Sequence, residues 1–459
     1  MPFPKNAAVT AAALTLLGST LTPAPSAEAR ALHRAAKAHA AGTARALPIA
    51  ITIPSLAPRG EVRAMWIVRD SLTSPEKIHN AIALASRNHF NAVFVQVRGR
   101  GDAFYNSRYE PRSEQLDGQP ASFDPLAVAI TEGHKAGIEV HAWMNTFFVW
   151  HKPRHPYALG HIINQHPEWL VQDRDGNVTI TEKHDVEGAF LDPALPEVRE
   201  YTKNVFLDVV NHYDIDGIHF DYCRFPSERF SFSRRDLTAF REWLLPQITP
   251  NDAAYADSRM GGNRLAWYGC FPDHWRTWRQ SLVTETVKSI SDEAHRIRPG
   301  IVVSAAVFPI YRVASQDKGQ AWHEWLQTGV LDAACPMTYG KATEAVGAQI
   351  RDAVANSGGK PIIAGVGAWQ MPARSAIAKG IVYRQLGAAG INFFSYDGMT
   401  RDGRSEEYLA RVGHALFPTA APVPLWHKSP ARVANDSAQA AGSEAPPTPT
   451  VTNRPAAGG

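Results

Sequence analysis

Cysteine is nearly missing from this chain of 459 residues: only Cys223, Cys270 and Cys335 occur. An odd count argues against a disulfide framework, and the spacing matches no metal motif. Buried free thiols are the expectation. An excess of one charge is missing too. The formal net charge is +3 and there is no long Lys/Arg run, which argues against nucleic acid as a partner. Beyond the N-terminus, no stretch is apolar for long enough to cross a bilayer. His151, His155, His161 and His166 share one segment but lack the i, i+4 spacing of a helical metal site. No metal and no cofactor is therefore expected. No internal sequence repeat stands out.

What is present is an ordinary globular balance, with 44% hydrophobic and 20% charged residues, enough for a large core. Aromatics reach 10%, including 12 Trp. Such rings either fill a big core or pack their flat faces on the C–H face of sugar rings. The first 29 residues read as an export signal. Lys5 gives a sparse positive start, Ala7 to Leu17 is apolar but short, and Ala27-Glu28-Ala29 is a small-x-small cleavage site. No cysteine adjoins that site, so no lipoprotein anchor is expected, and the product is expected to be periplasmic or secreted. Residues 30–58 read as an Ala-rich linker. Residues 418–459 are rich in Pro, Ala, Ser and Thr and are expected to stay disordered. The ordered domain is expected over residues 59–417, as a monomer.

Within that span, short apolar runs alternate with amphipathic helical patterns. Strands are predicted at Val62–Val68, Ala92–Val97, Glu139–Trp143, Gly217–Asp221, Ile301–Ala306, Ala333–Met337, Ile362–Val366 and Ile391–Ser395. Helices are predicted at about Pro75–His89, Asp124–Ala136, Pro196–His212, Trp275–Arg298, Gln320–Thr328, Glu344–Ser357, Ser375–Ala388 and Glu406–Leu416. This alternation implies a parallel sheet, and eight such units imply an α/β fold closed as a TIM-like (β/α)8 barrel. Gly137, Gly300 and Gly390 precede strands, as helix C-caps do. The connections after strands 3 and 4, Asn145 to about Leu195 and Tyr222 to about Asp273, are far too long for turns. Loops of that length are usually lids or cleft walls. The second is expected to hold a helix at Arg234–Leu245 and to carry Trp267 and Tyr268 towards the cleft.

The chain is organised around Asp216-Gly217-Ile218-His219-Phe220-Asp221-Tyr222-Cys223-Arg224-Phe225-Pro226. Strand alternation turns Ile218 and Phe220 to the helices and Gly217, His219 and Asp221 into the barrel. Asp221 then stands at the C-terminal mouth, where such barrels keep their chemistry. Arg224 either tunes that carboxylate or forms a pair that only orders a loop. The other strand ends add polar groups. Arg98, Gly99, Arg100, Gly101 and Asp102 follow strand 2, with Asp102 a second carboxylate or, better, a loop anchor. Trp143 and Asn145 end strand 3, with Asn145 placed to meet a hydroxyl or the Asp221 carboxylate. Tyr339 follows strand 6, Trp369 strand 7, and Asp397 strand 8, where Asp-Gly is also turn chemistry.

The set Val62-Arg63-Ala64-Met65-Trp66, Gln96-Val97-Arg98-Gly99-Arg100-Gly101-Asp102-Ala103-Phe104-Tyr105, His141-Ala142-Trp143-Met144-Asn145, Asp216 to Tyr222 and Pro336-Met337-Thr338-Tyr339 resembles the glycosyl-hydrolase-like family 10 domain of bacterial exported proteins. The resemblance covers roughly Arg59 to Ser395. Ala64 and Cys223 depart from its pattern without removing a candidate group. It implies a TIM-like barrel and action on glycans, and some members look like cell-wall hydrolases that cut peptidoglycan strands stripped of their peptides. A glycoside hydrolase usually needs two carboxyl groups, one giving a proton to the leaving oxygen and one attacking or activating water. Asp221 is expected as nucleophile or base, ionised with the help of Arg224. Its partner is open among Asp102, Asp397, Glu228 and Glu324, and an N-acetylated substrate is able to supply its own nucleophile. Arg98, Trp143, Asn145, His219, Arg224, Tyr339 and Trp369 are the expected substrate-binding residues. The rival readings are a non-catalytic wall-glycan-binding protein and a hydrolase of an exopolysaccharide.

Overall fold

The structure, a computed structural model, describes residues 60–180, 186–400 and 406–422 and Trp426. The proposed export signal and the linker lie outside the described residues, as does most of the C-terminal tail.

The strands in chain order are β1 Val62–Ile67, β2 Ala92–Arg98, β3 Glu139–Asn145, β4 Phe148–Trp150, β5 Ala189–Phe190, β6 Gly217–Asp221, β7 Val302–Val307, β8 Ala333–Pro336, β9 Ile363–Gly367 and β10 Gly390–Phe394. Eight of them form one parallel sheet in the order β8-β7-β6-β3-β2-β1-β10-β9, and a parallel bridge from Ala334 to Ile362 joins its two ends. The sheet is thus a nearly closed barrel, as the strand count implies. Helices cover its outside. Each starts with its own local signal: Ser74 caps Pro75–Arg87, Asp124 caps Pro125–Lys135, and Pro196 opens the helix Pro196–His212. The predicted cap at Gly390 is not one. Gly390 is the first residue of β10, paired with Val62, and the left-handed position after the preceding helix belongs to Gly387 at φ 88°.

The inside of the barrel is not uniformly apolar. Phe94 packs against both His141 and His219, and Trp66 against His219. Trp66 Nε1 donates to His219 Nε2 at 3.1 Å, and His219 Nδ1 lies 2.9 Å from Ser304 Oγ. An indole N–H only donates, so His219 is neutral and carries its proton on Nδ1. Gly217 admits the neighbouring ring, because a side chain there would collide with His141.

At the N-terminal end, Trp426 is 6% exposed, donates to Glu139 Oε2 at 2.6 Å and lies 5.2 Å from the His141 ring. Arg63 donates to Thr419 O and Asn91 to Pro422 O. The expected disordered tail therefore starts too early at 418, because its described residues close the bottom of the barrel.

The long loops are folded. The first carries the antiparallel ribbon β4–β5 and a turn of helix at Ile162–Gln165. The second holds helices Arg234–Leu244, Pro250–Ser258 and Ala266–Cys270. Trp267 and Tyr268 do not reach the cleft as expected. Trp267 is buried with its N–H on Asp257, and Tyr268 packs on Phe232 and Trp275.

Candidate active site

Asp221 ends β6 in register with Asn145 of β3, at the C-terminal mouth. Its Oδ1 accepts the Tyr222 N–H at 2.7 Å and its Oδ2 accepts Trp143 Nε1–H at 3.1 Å. Tyr222 has φ 49°, a conformation that side chains rarely adopt. That turn brings its N–H back onto the carboxylate and sends the chain to Arg224.

Arg224 does not bond Asp221 directly. Its Nη2 donates to Glu187 Oε1 at 2.8 Å, and its guanidinium lies 4.5 Å from the Tyr222 ring centre and 4.9 Å from that of Phe308. Nε and Nη1 of Arg224 and Oε2 of Glu187 are buried with no hydrogen-bond partner. Glu187 comes from the first long loop, just before β5. Gly188, at φ 150°, lets the ribbon close beneath it, because a side chain there would collide with Trp150 O. The Glu187 side chain keeps 35% exposure, whereas Asp221 keeps 7%, so the two are buried to different extents.

Their electrostatics differ in sign. Burial pushes the Asp221 carboxyl up to about 6, and the nearby Glu187 charge adds to this. Arg224, the Tyr222 N–H and the Trp143 indole pull the other way without winning. Burial also raises Glu187, but Arg224 and Lys318 hold it below its ordinary value. Asp221 therefore takes up a proton more readily than an ordinary carboxylate, and Glu187 less readily. That separation defines acid and base in a two-carboxylate site. Burial outweighs Arg224 here, so Asp221 ionises less readily than the sequence proximity of Arg224 leads one to expect.

The remaining expected residues fall into place unevenly. Tyr339 and Trp369 line the mouth with Phe394, the three ring centres lying 5.0–5.6 Å apart, and Trp143 lies 6.1 Å from Phe394. All but Trp143 are partly exposed, which makes a platform for sugar faces. Asn145 meets neither Asp221 nor open cleft. Its Nδ2 donates to Gly99 O at 2.7 Å and its Oδ1 is buried without a partner. Arg98 is not a substrate contact. It is fully enclosed, pairs with Glu110 at 2.7 Å and donates to Asn145 O and Thr146 O, fixing the β2 and β3 ends. His219 is likewise fully enclosed, a floor under Asp221.

The four expected partner carboxylates sit in other settings. Asp102 accepts from Ser113 Oγ at 2.6 Å and from the Arg100 backbone at 3.0 Å, so it anchors its loop. Asp397 accepts from Val68 N at 2.9 Å and Ser71 Oγ at 2.7 Å, holding the turn after β1. Glu228 and Glu324 are exposed, Glu324 accepting from the Tyr311 hydroxyl. Glu187 was not among the expected residues, because its place at the mouth depends on the short β4–β5 ribbon rather than on a barrel strand. A Glu directly before Gly-Ala-Phe, in a loop long enough to wall the cleft, is the signal that finds it. Among the described residues, no group of three or more His, Cys, Asp or Glu is placed to hold a metal ion.

The family model described as glycosyl hydrolase-like 10 matches residues 61–369. The chain belongs to this family. The glycosyl hydrolase-like 10 match runs from β1 to the residue Trp369 of the aromatic platform and includes Asp221, Arg224 and Glu187. The chain is 26% identical over 311 residues to "Glycosyl hydrolase YngK" of Bacillus subtilis, covering 61% of this chain and 54% of that protein. It is also 26% identical over 272 residues to "Glycosyl hydrolase DigH" of Escherichia coli, covering 54% of each. The chain thus spans about half the length of the curated relatives it matches. The glycoside hydrolase domain of PgaB (BpsB) from Bordetella bronchiseptica superposes with a TM-score of 0.56 at 16% identity, over 77% of this chain and 98% of that one. The catalytic domain of a Paenibacillus polymyxa β-amylase gives 0.55 at 12%, over 80% of this chain and 100% of that one. These two likenesses are of fold.

Proposed function

We propose that this protein is an exported glycoside hydrolase that cuts within bacterial peptidoglycan glycan strands freed of their peptides. The observation that carries the enzymatic part is the pair of carboxyl groups at the barrel mouth, Asp221 raised to about 6 and Glu187 held low, linked through Arg224. In this reading, protonated Asp221 gives its proton to the leaving glycosidic oxygen. Ionised Glu187 attacks the anomeric carbon or takes a proton from the attacking water. The Tyr222 N–H and the Trp143 indole then stabilise the Asp221 carboxylate that remains.

The orphaned Arg224 nitrogens are donors for substrate oxygens beside the scissile bond. The ring faces of Trp369, Tyr339 and Phe394 stack on sugars and leave an open cleft rather than a closed pocket. Support for the glycan comes from the family, whose members include relatives named as glycosyl hydrolases. Peptide-free strands and export follow from the family resemblance and the N-terminal sequence.

The test is incubation with sacculi before and after amidase treatment, with analysis of soluble sugars. Release of oligosaccharides mainly from the amidase-treated wall is expected. Equal release from both would overturn the preference for peptide-free strands. No release from either, with tight pelleting on the wall, would favour a binding protein.

A further inference from the structure

One side of the mouth gathers several basic side chains among the carboxylates of Asp70, Asp102 and Glu114, and the chemistry described so far leaves them unused. Arg69 lies on the turn Arg69–Leu72 after β1, Arg100 on the loop after β2, and His151 and Lys152 directly after β4. The guanidinium of Arg100 and the ammonium of Lys152 sit 5.3 and 5.7 Å from the buried Trp150 ring, which gathers them on one scaffold. Arg100 is answered by Asp102, to which it donates. Arg69 and Lys152 make no ion pair among the described residues; Arg69 is held by Gln96 Oε1 at 2.8 Å. Nε of Arg69 and Nε of Arg100 are buried with no hydrogen-bond partner.

The crowding is felt by its members. Burial comes first, and then the Arg69, Arg100 and Lys152 charges, in bringing His151 down to about 4; burial and Arg100 lower Lys152 as well. Burial opposes charge of either sign, whereas the Coulombic part of these shifts, with Asp102 and Glu114 acting against it, reflects the gathered cations, which attract an anion. The wall adjoins the catalytic carboxyl groups. His151 stacks on Phe148 with ring centres 6.3 Å apart, Phe148 stacks on Tyr222 at 4.7 Å, and Arg69 acts electrostatically on Tyr222.

We infer that Arg69, Arg100 and Lys152 form a subsite for the carboxylate of an acidic sugar, seated beside the bond to be cut. The inference rests on the hydrolase reading and deepens it. Lys152 supplies a point charge and Arg69 and Arg100 supply unused guanidinium donors to the same anion. Neutral His151 offers a hydrogen bond to the ring that bears it. Such a carboxylate is either the lactyl group of a muramoyl residue, which is free only once the stem peptide is gone, or the carboxylate of a uronic acid. The first source gives peptide-free strands a physical reason to be preferred, because an amide-linked peptide removes the charge.

The experiment compares amidase-stripped glycan strands, the same strands with their lactyl carboxylates coupled to methylamine, and hyaluronan oligosaccharides as a uronate probe. Wild-type protein is expected to lose about ten-fold in kcat/KM on the methylamide strands, mainly through KM. Lys152→Gln and Arg69→Gln are expected to lower kcat/KM on charged strands while leaving the methylamide strands nearly unaffected, which abolishes the preference. Lys152 is partly exposed and its variant keeps the fold even where Arg69→Gln does not. A preference for hyaluronan would assign the subsite to uronates. Equal rates of wild-type protein on charged and neutral strands would overturn the inference and leave the hydrolase standing. If no strand is cut, affinity electrophoresis with the same glycans separates the two ideas. Stronger retention by charged than neutral strands, lost in Lys152→Gln, would keep the subsite and reject the hydrolase, and equal retention would reject the subsite.

Discussion

Replacing Asp221 by Asn is expected to raise stability at neutral pH while abolishing turnover. The side chain is buried, and its carboxyl is pushed from 3.8 to about 6. A folded-state value above the unfolded one means that folding disfavours the charged form. The penalty is absent below the unfolded value, grows as pH rises through the window from 3.8 to about 6, and is complete above it. Two units at 1.36 kcal/mol each give a penalty of about 3 kcal/mol at pH 7. Asn carries no charge and escapes it. It also leaves one of the two donors, Tyr222 N–H or Trp143 Nε1–H, without an acceptor, at a cost of about 1 kcal/mol. The net gain is about 2 kcal/mol at pH 7, which for a domain of this size corresponds to a rise of roughly 3 °C in Tm. At pH 4 the gain should vanish and the variant should melt at or slightly below wild type. Thermal melts of both proteins between pH 4 and 8, followed by circular dichroism, test this. A Tm for Asp221→Asn that stays below wild type at every pH would refute the reasoning that burial dominates this carboxyl.

Further outcomes follow from the same geometry. Glu187→Gln should lower kcat by at least about a hundred-fold on any cleaved glycan, with the fold retained by circular dichroism. The pH profile of kcat/KM should be bell-shaped, falling as pH rises past about 6, where Asp221 loses its proton, and falling on the acid side where Glu187 gains one. Arg224→Met should move both limbs of that profile upward, because its charge lowers both carboxyl groups; unmoved limbs would show that Arg224 does not tune them. Trp426→Ala, or truncation after residue 418, should destabilise the barrel by about 3 kcal/mol by emptying the site beside Glu139 and His141, as read by chemical denaturation.

The barrel was legible in the sequence because its signals are local. Runs such as Ala92–Arg98 and Glu139–Asn145 are short, apolar and flanked by helical patterns, and their observed ends lie within two residues of the predicted ones. Asp221 was legible for the same reason, since alternation along a five-residue strand fixes which way it points. What did not read out was the environment of each charge. Arg98 and Arg224 look alike in sequence, yet one closes on Glu110 in a fully enclosed pair and the other pairs with Glu187 of the first long loop, its Nε and Nη1 buried without a partner. The ionisation of Asp221 depends on how completely its surroundings exclude water, which proximity to Arg224 in the chain does not reveal. Glu187 was hidden because its place depends on a ribbon of two very short strands, joined across a long loop and made possible by Gly188. Trp426 was hidden by its surroundings, a Pro- and Ala-rich stretch with few large apolar residues.

The most direct measurement is the release of new reducing ends from amidase-stripped glycan strands by wild-type protein, Asp221→Asn and Glu187→Gln, side by side. The account predicts steady release by wild type and rates lower by at least about a hundred-fold in each variant, with all three proteins folded. Wild-type rates in either variant, or no release by the wild-type protein from any glycan, would contradict it.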